Sequence, residues 1–588
     1  MRILLLTHAF NSLTQRLWCE LSARGHEMSV EFDIADSVAE EAVSLFRPDL
    51  IVAPYLRRAI PESIWSRHIC LVVHPGPPGD QGPSALDHAI QQGVAEWGVT
   101  VLQAEAGMDA GPVWASAGFP MRAAKKSSLY RNEVTEAATV AVLEAVDRVA
   151  GDEFCPQRPA QSRWQPLLAQ AERAIAWARD DTATVLAKIN AADGFPGVVD
   201  VLFDQPCRLF DAWPEAELHG APGELLGRRE TALLRATVDG AVWIGHVKRE
   251  SDAAPRRPAT ADFRLDAEVA LKLPATLAFP AESAALPELP LAGLARAARP
   301  TWQDIWFESA GDVGFLHFEF HNGAMSTRQC ERLRAALAWA KAQPVKVLAL
   351  MGGADFWSNG IHLNVIEAAG LAGSAADESW ANINAMNDLA LELIETADQI
   401  TIAALGGNAG AGGCFLARAA DALWLREGVL LNPHYKNMGN LHGSEYWTYL
   451  LPRRVGAEAA AAIMRDRLPL DARRAVANGF ADAMLAGGRD AFRIDVARRA
   501  AEIAAAPDFA ARLAAKREQR ARDEAQKPLA AYRAEELKQM RRNFYGFDPS
   551  YHVARFHFVT KAAASWTPRH LARHRDLGWV VPGEARAA

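Results

Sequence analysis

Two stretches of the chain carry side chains suited to moving protons. In "VVHPGPPGDQGPSALDHAI", His74 stands directly after an apolar run, on a turn stiffened by prolines and opened by glycines. Such a turn holds a side chain firmly while letting a ligand approach the backbone. Downstream, "WGVTVLQAEAGMDAGPVW" carries a second apolar run into a Gly/Pro turn at Asp109. A histidine oriented by a carboxylate can deliver or withdraw a proton at a carbonyl carbon, and its charged form can stabilise an oxyanion. Taken singly, His74 could cap a strand and Asp109 an Asx-turn. Far along the chain, "LLNPHYKNMGNLHGSEYW" crowds His434, Tyr435, Lys436, His442 and Glu445 around small turn-formers.

Glycine-rich turns form a third group. "VKVLALMGGADFWSNGIHLN" is an apolar strand entering a glycine turn, and "ITIAALGGNAGAGGCFLARAADALWL" reads as strand, glycine-rich loop and helix. Turns of this kind can present backbone N–H groups to a carbonyl oxygen. By itself "GGNAGAGG" serves equally well for close packing of a helix on a strand.

The elements that must position these residues follow from periodicity. "RILLLTH", "TQRLWCELSARGHE" with its stop at Gly25, and "MSVEFDI" make a strand–helix–strand opening. "RPDLIVAPYL" and "HICLVVHPG" are further buried strands running into loops, where open α/β sheets place their ligands. A helical segment is expected around residues 166–192. "DGFPGVVDVLF", "CRLFDAW" and "TALLRATVDGAVWIGHVKR" then give short alternating strands suited to a small barrel. Seven prolines between residues 251 and 300, Pro255 and Pro258 among them, suggest an interdomain connection, with a new domain beginning near Trp302.

With 588 residues and half of them hydrophobic, the chain has room for two to four cores. A formal charge of −8 leaves no overall basic field, so nucleic acid is not expected as a main partner. The six cysteines show no CxxC pair and no metal-binding Cys/His spacing, so reduced thiols and no metal site are expected. "MRILLL" is too short for a signal peptide, and no run approaches the ~20 apolar residues of a membrane helix. A cytoplasmic protein without a membrane partner is expected.

The front motifs resemble the tetrahydrofolate-dependent formyltransferases, in which His-Pro opens the Gly/Pro loop and Asp-x-Gly-Pro supplies a carboxylate. "DGFPGVVDVLF" and "APGELLG" resemble the C-terminal barrel of methionyl-tRNA formyltransferase, so the resemblance spans roughly residues 1–290. It implies His74 and Asp109 as catalytic, Gly82 and Gly111 as lining the cofactor, and 10-formyltetrahydrofolate as formyl donor. One position departs: the family's asparagine two residues before the histidine is Val72 here. Gln81 or a backbone N–H would have to replace it.

The rear motifs resemble the crotonase (enoyl-CoA hydratase/isomerase) superfamily. That implies coenzyme A as ligand, the N–H groups of Ile361 and Gly412 as the oxyanion hole, and Gly360 and Gly413 beside it. The two hydratase glutamates fall on Phe415 and Tyr435, so hydration lacks its usual acid and base. The fusion of the two halves, with "HYKNMGNLHGSEYW" and "NFYGFDPSYHVARFHFV", resembles the HoxX-type hydrogenase maturation proteins over the whole chain.

This resemblance implies an α/β protein of three parts. A Rossmann-like formyltransferase domain covers 1–165, an OB-like barrel and linker 166–295, and a crotonase-type ββα spiral domain 296–588. It implies formyl transfer from 10-formyltetrahydrofolate to CoA, then decarbonylation of formyl-CoA to CO and CoA for the [NiFe]-hydrogenase iron. Tyr435 would act on C–S cleavage, and Glu445 would polarise it or shuttle a proton. Partners would be small-molecule substrates and the hydrogenase maturation machinery. Two other readings fit the same motifs: a formyltetrahydrofolate hydrolase or amine formyltransferase with a regulatory CoA-binding half, and a non-catalytic one-carbon carrier.

Overall fold

The structure is a computed structural model that describes residues 1–151, 153–250 and 271–576. Pro255 and Pro258 of the expected connection lie outside the described residues. The chain packs as two compact units. One comprises Met1–Ala174, Ala187–Val198 and the chain from Ala563; the other comprises Ile175–Leu186 and Val199–Ala562.

The first unit is built on a six-stranded sheet in the order Glu27–Phe32, Arg2–Thr7, Leu50–Tyr55, Cys70–His74, Glu96–Gln103, Val113–Pro120. The first four strands are parallel and the last two antiparallel. Ile3, Leu4 and Leu5 are fully buried, as expected of a strand covered on both faces. The helix Ser12–Ala23 starts where the Asn11 side chain accepts the Thr14 N–H at 3.0 Å. It turns Leu13, Leu17, Trp18 and Leu21 inward. His74 is the last residue of its strand, opposite Thr100, and so stands at the sheet edge where the loops gather.

The helix expected over 166–192 is two helices, Gln170–Arg173 and Thr182–Ala192. They are interrupted where the Asp180 carboxylate accepts the Ala176 N–H at 2.9 Å, a local side-chain bond that competes with helix continuation.

The second unit opens with an antiparallel sheet in the order Leu225–Arg229, Ala232–Ala236, Ala241–Arg249, Gln205–Glu215, Val198–Leu202, with Lys272–Pro274 added to Ala241–Arg249. Its larger part holds a six-stranded sheet in the order Ile305–Ala310, Val313–Phe318, Val347–Leu350, Ile400–Leu405, Ala422–Arg426, Ala483–Leu485. Beside it a smaller sheet runs Phe356–Ser358, Asn408–Gly410, Leu430–Asn432, Leu470–Asp471. The first three of these are parallel neighbours. The segments after them carry Ile361, Gly412 and Tyr435, so parallel pairing delivers all three to one edge. Among the described residues, no helix is long and apolar enough to cross a membrane. All six cysteines are free thiols, buried except Cys155.

Residues 563–576 pack with the first unit. There His574 places Nδ1 2.7 Å from Ser29 Oγ and Nε2 2.9 Å from Glu31 Oε2. Thr567 donates to the other oxygen of Glu31, and Arg575 lies 2.9 Å from Oε2. Glu31 and His574 are wholly buried. Burial would raise the Glu31 carboxyl, but the hydrogen bonds from His574 and Thr567 and the Arg575 charge outweigh it and hold it below its usual range. Glu31→Gln should cost ~3–5 kcal/mol by stranding buried partners, seen as a lowered midpoint of urea unfolding. A depressed carboxyl stabilises above its unfolded pKa, and that stability is lost as pH falls through the folded value. The gap between wild type and Glu31→Gln should therefore close in acid, below about pH 4.

Candidate active sites

The front site centres on His74, which is 3% exposed. Its Nε2 lies 2.8 Å from Asp80 Oδ2 and its Nδ1 3.4 Å from Asp109 Oδ2. Asp109 Oδ2 also accepts the Gly82 N–H at 3.1 Å, and Asp80 Oδ1 accepts from Gln165 Nε2 at 2.7 Å. The imidazole is thus oriented by two carboxylates. Asp80 was not among the residues singled out from the sequence, although it stands six positions after His74 in the same loop. Gly76 makes the arrangement possible, since a Cβ there would fall 2.4 Å from His74 Nε2 and 2.3 Å from Asp80 Oδ2.

The glycines expected to line the cofactor press on protein backbone. A Cβ on Gly82 would meet the Gln165 carbonyl oxygen at 1.9 Å, and one on Gly111 the Gln103 carbonyl oxygen at 1.8 Å. Loop packing alone accounts for both. Val72 shares a strand face with His74 and packs on the apolar cluster around Ile51 and Cys70.

At the rear, Gly412 is the first residue of the helix Gly412–Arg418, so its N–H has no acceptor within that helix. The peptides flanking Ile361 are pinned: Gly360 N–H donates to Ser358 Oγ at 3.1 Å, its carbonyl accepts Met325 N–H at 2.9 Å, and His362 N–H donates to Asn382 Oδ1 at 3.0 Å. Gly360, at φ +78°, brings the two loops together, since a Cβ there would lie 3.4 Å from Gly412 N. Gly413 has no room for a side chain, because a Cβ would meet the Ser358 carbonyl oxygen at 2.1 Å.

Against these N–H groups lies a buried pair. The Tyr435 hydroxyl donates to Glu445 Oε2 at 2.6 Å and stands 3.1 Å from the Ser444 carbonyl. Glu445 Oε1 is 2.6 Å from where a Gly412 Cβ would be, so the carboxyl packs directly on Gly412. Phe415 stacks on the Tyr435 ring with centroids 5.6 Å apart. Gly443, at φ +89°, leaves the space that ring occupies. Burial, with the Glu536 carboxylate nearby, pushes the Glu445 carboxyl up to about 8 despite the hydrogen bond from Tyr435. Burial and the neighbouring Glu445 raise the Tyr435 phenol well above its usual range. At neutral pH Glu445 therefore carries a proton.

Three polar residues of this site carried no sequence signal. Asn387, fully buried on the helix Ala375–Ile394, accepts Glu445 N–H at 2.7 Å and Ser444 Oγ–H at 2.8 Å. Asn382, on the same helix, holds the loop at His362. Glu536, on the helix Leu529–Tyr545, binds the turn after Glu445. Each reads in the sequence as an ordinary polar position of an amphipathic helix.

One group of possible metal ligands occurs among the described residues, Asp211, His246 and His321. His246 Nδ1 lies 2.8 Å from Asp211 Oδ2, a hydrogen-bond distance, and His321 Nδ1 lies 3.6 Å from Asp211 Oδ1. The two imidazoles stack at 4.1 Å. The arrangement is a hydrogen-bonded cluster, and burial keeps His246 neutral by lowering it to about 4.

Family models place these geometries. A formyl transferase model matches residues 24–146, a formyl transferase C-terminal domain model 167–256, and an enoyl-CoA hydratase/isomerase model 316–567. The hydrogenase maturation factor HoxX of Bradyrhizobium diazoefficiens is 54% identical over 98% of this chain and 97% of its own. The chain belongs to the HoxX/HypX family of hydrogenase maturation factors. A crystal structure of HypX from Aquifex aeolicus in complex with tetrahydrofolic acid superposes with a TM-score of 0.93 at 44% identity, covering 99% of this chain and all of that one. Methionyl-tRNA formyltransferase of Aromatoleum aromaticum is 26% identical over 37% of this chain and 68% of its own. The HoxX/HypX fold is thus a formyltransferase with its C-terminal domain, joined to a crotonase-like domain.

A buried neutral carboxyl has a direct signature. In pH-difference infrared spectra of the full chain, a protonated-carboxyl C=O band should persist at neutral pH and disappear with a midpoint near 8. It should be missing from Glu445→Gln.

Proposed function

We propose that this chain makes carbon monoxide for hydrogenase assembly in two steps, formyl transfer from 10-formyltetrahydrofolate to CoA and decarbonylation of the formyl-CoA formed. The observation that carries the reading is the Tyr435–Glu445 pair packed on Gly412, a proton-bearing carboxyl where a crotonase fold holds its thioester. The family relationship and the tetrahydrofolic acid bound to the Aquifex aeolicus protein support the first step.

In formyl transfer the thiol sulfur of CoA attacks the formyl carbon, the C–N bond to the folate breaks, and the thiol proton ends on the folate nitrogen. His74 can accept and return that proton, with Asp80 and Asp109 fixing its orientation. In decarbonylation the C–S and C–H bonds of HC(=O)–S–CoA both break, giving CO and HS–CoA. The Tyr435 hydroxyl proton is already committed to Glu445 at 2.6 Å, so the carboxyl, rather than the phenol, is placed to serve the sulfur. Glu445 gives its proton to sulfur, and the carboxylate so formed takes the formyl proton. The acid is regenerated without external base. Tyr435 stabilises the transient carboxylate, and the Ile361 and Gly412 N–H groups hold the formyl oxygen. Water would divert the same thioester to formate, which the apolar surround of Phe415, Tyr435 and Leu441 discourages.

The test supplies formyltetrahydrofolate and CoA to the full chain, captures CO with deoxymyoglobin and measures formyl-CoA by chromatography. His74→Ala and Asp109→Asn should lose formyl-CoA formation by ~10²–10⁴-fold while still splitting synthetic formyl-CoA. Tyr435→Phe should keep formyl transfer and lose CO, with formyl-CoA accumulating or leaking to formate. Release of CO from formyl-CoA should be full below pH 8 and fall above it, because the acid form is the active one. CO formation without CoA, or full CO yield from Tyr435→Phe, would remove the reading.

A further inference from the structure

The turn that carries Glu445 is strained. Glu445 and Tyr446 are consecutive non-glycine residues in the left-handed region, at φ +60° and +59°. Such a pair is unfavourable for L-residues and persists only when its surroundings over-determine it. Asn387 holds the first peptide. Glu536, 1% exposed, holds the next ones: Oε2 accepts Tyr446 N–H at 3.0 Å, and Oε1 accepts Thr448 N–H at 2.9 Å and the Thr448 hydroxyl at 2.6 Å. Ser444 Oγ, 2.8 Å from Asn387 Oδ1, also lies 3.4 Å from Glu536 Oε2 and so stands between Asn387 and Glu536.

We infer that Glu536 is a positioning residue for the rear site, fixing the Ser444–Thr448 turn by its hydrogen bonds and, as the better hydrogen-bonded member of a buried carboxyl pair, disfavouring negative charge on Glu445. This rests on the proposed decarbonylation for its catalytic meaning, and on the hydrogen bonds of Glu536 to the turn for its positioning part.

The two carboxyls differ in their surroundings. Glu536 receives two backbone N–H groups and a hydroxyl, a donor set that favours the carboxylate against the burial that raises it to about 7. Glu445 receives only the Tyr435 phenol as a close side-chain donor. The titratable groups facing Glu445 are Tyr435 from its own loop, Glu536 from the helix Leu529–Tyr545, and the buried thiol of Cys330 from Thr327–Lys341. The Cys414 thiol, from Gly412–Arg418, acts on the Tyr435 side. The helix Ala375–Ile394 contributes the neutral Asn387. The nearest cation on the Glu536 helix, Arg533, is matched by Asp388 at 2.6 Å. The donor sets therefore favour the proton on Glu445, the member that packs on Gly412.

Glu536→Gln keeps the size and an acceptor while removing the charge. Its infrared midpoint for the Glu445 carboxyl should fall by about one pH unit, a tenfold change in proton affinity. The high-pH limb of CO release should move down with it. Glu536→Asp, which keeps the charge on a shorter arm, should lower the rate without moving the limb. Formyl-CoA formation at the front site reports in each variant that the chain is folded. In folded Glu536→Gln, an unmoved Glu445 midpoint, or a CO rate lowered equally at every pH, would overturn the inference. If Glu536→Gln does not fold, Glu536→Asp decides on the rate: a positioning role predicts a lowered CO rate with an unmoved limb, and a carboxyl that merely lies near the turn predicts the rate of wild type. Should wild type release no CO from formyl-CoA, the decarbonylation reading fails alone, and the infrared midpoints still decide the role of Glu536.

Discussion

A carboxyl group buried beside a phenol, an amide and a second carboxyl sets the terms for the crotonase-like half. An unpaired charge in such a place is costly, and the protein avoids it by leaving the proton on Glu445. The neighbouring features derive from that one constraint. Tyr435 can donate to the carboxyl because the oxygen it meets accepts in either protonation state. Asn387 supplies a neutral acceptor for Glu445 N–H, where a carboxylate would have added a further charge. The glycines at 412 and 443 let the acid and the phenol close to contact distance with the loops around them.

The front site solves a different problem. Its histidine has a carboxylate at each ring nitrogen, and both carboxylates are tied down in turn, Asp80 by Gln165 and Asp109 by the Gly82 N–H. Formyl transfer passes through a tetrahedral carbon and needs a group that can take a proton and return it within one encounter, which an oriented imidazole does. Decarbonylation needs both a donor and an acceptor at one small substrate without water. In the proposed reading, a carboxylic acid flanked by a phenol meets that need.

Much of this was legible in the sequence because loops with chemical work use rare punctuation. His-Pro-Gly at 74–76, Asp-Ala-Gly-Pro at 109–112 and the glycine runs near 360 and 412 stand out from their surroundings, and the fold class came from the same motifs. Tyr435 and Glu445 could be named from one crowded stretch, but their 2.6 Å contact depends on the left-handed turn at 445–446, which no glycine announces. Asn387 and Glu536 were illegible for another reason. On amphipathic helices a buried polar residue looks like any solvent-facing one until the partner turn is known. The single helix expected over 166–192 is broken because Asp180 supplies a local bond that periodicity does not register. Continuity of chain assigns the last described residues to the crotonase-like half, whereas the Glu31–His574 pair fixes them to the formyltransferase unit.

Phe415 brings these constraints together at one position. The crotonase resemblance would put a hydratase carboxylate there, and the phenylalanine instead stacks on Tyr435 and is wholly buried. A carboxylate at that point would add charge beside Glu445 and Glu536 and would bring its own hydration. The ring removes both, and its face supports the phenol at the distance that the Glu445 hydrogen bond requires. Replacing one charged group by an aromatic thus changes the chemistry open to the fold. It withdraws the base that would activate water, and it makes the surroundings dry enough for the remaining carboxyl to keep its proton.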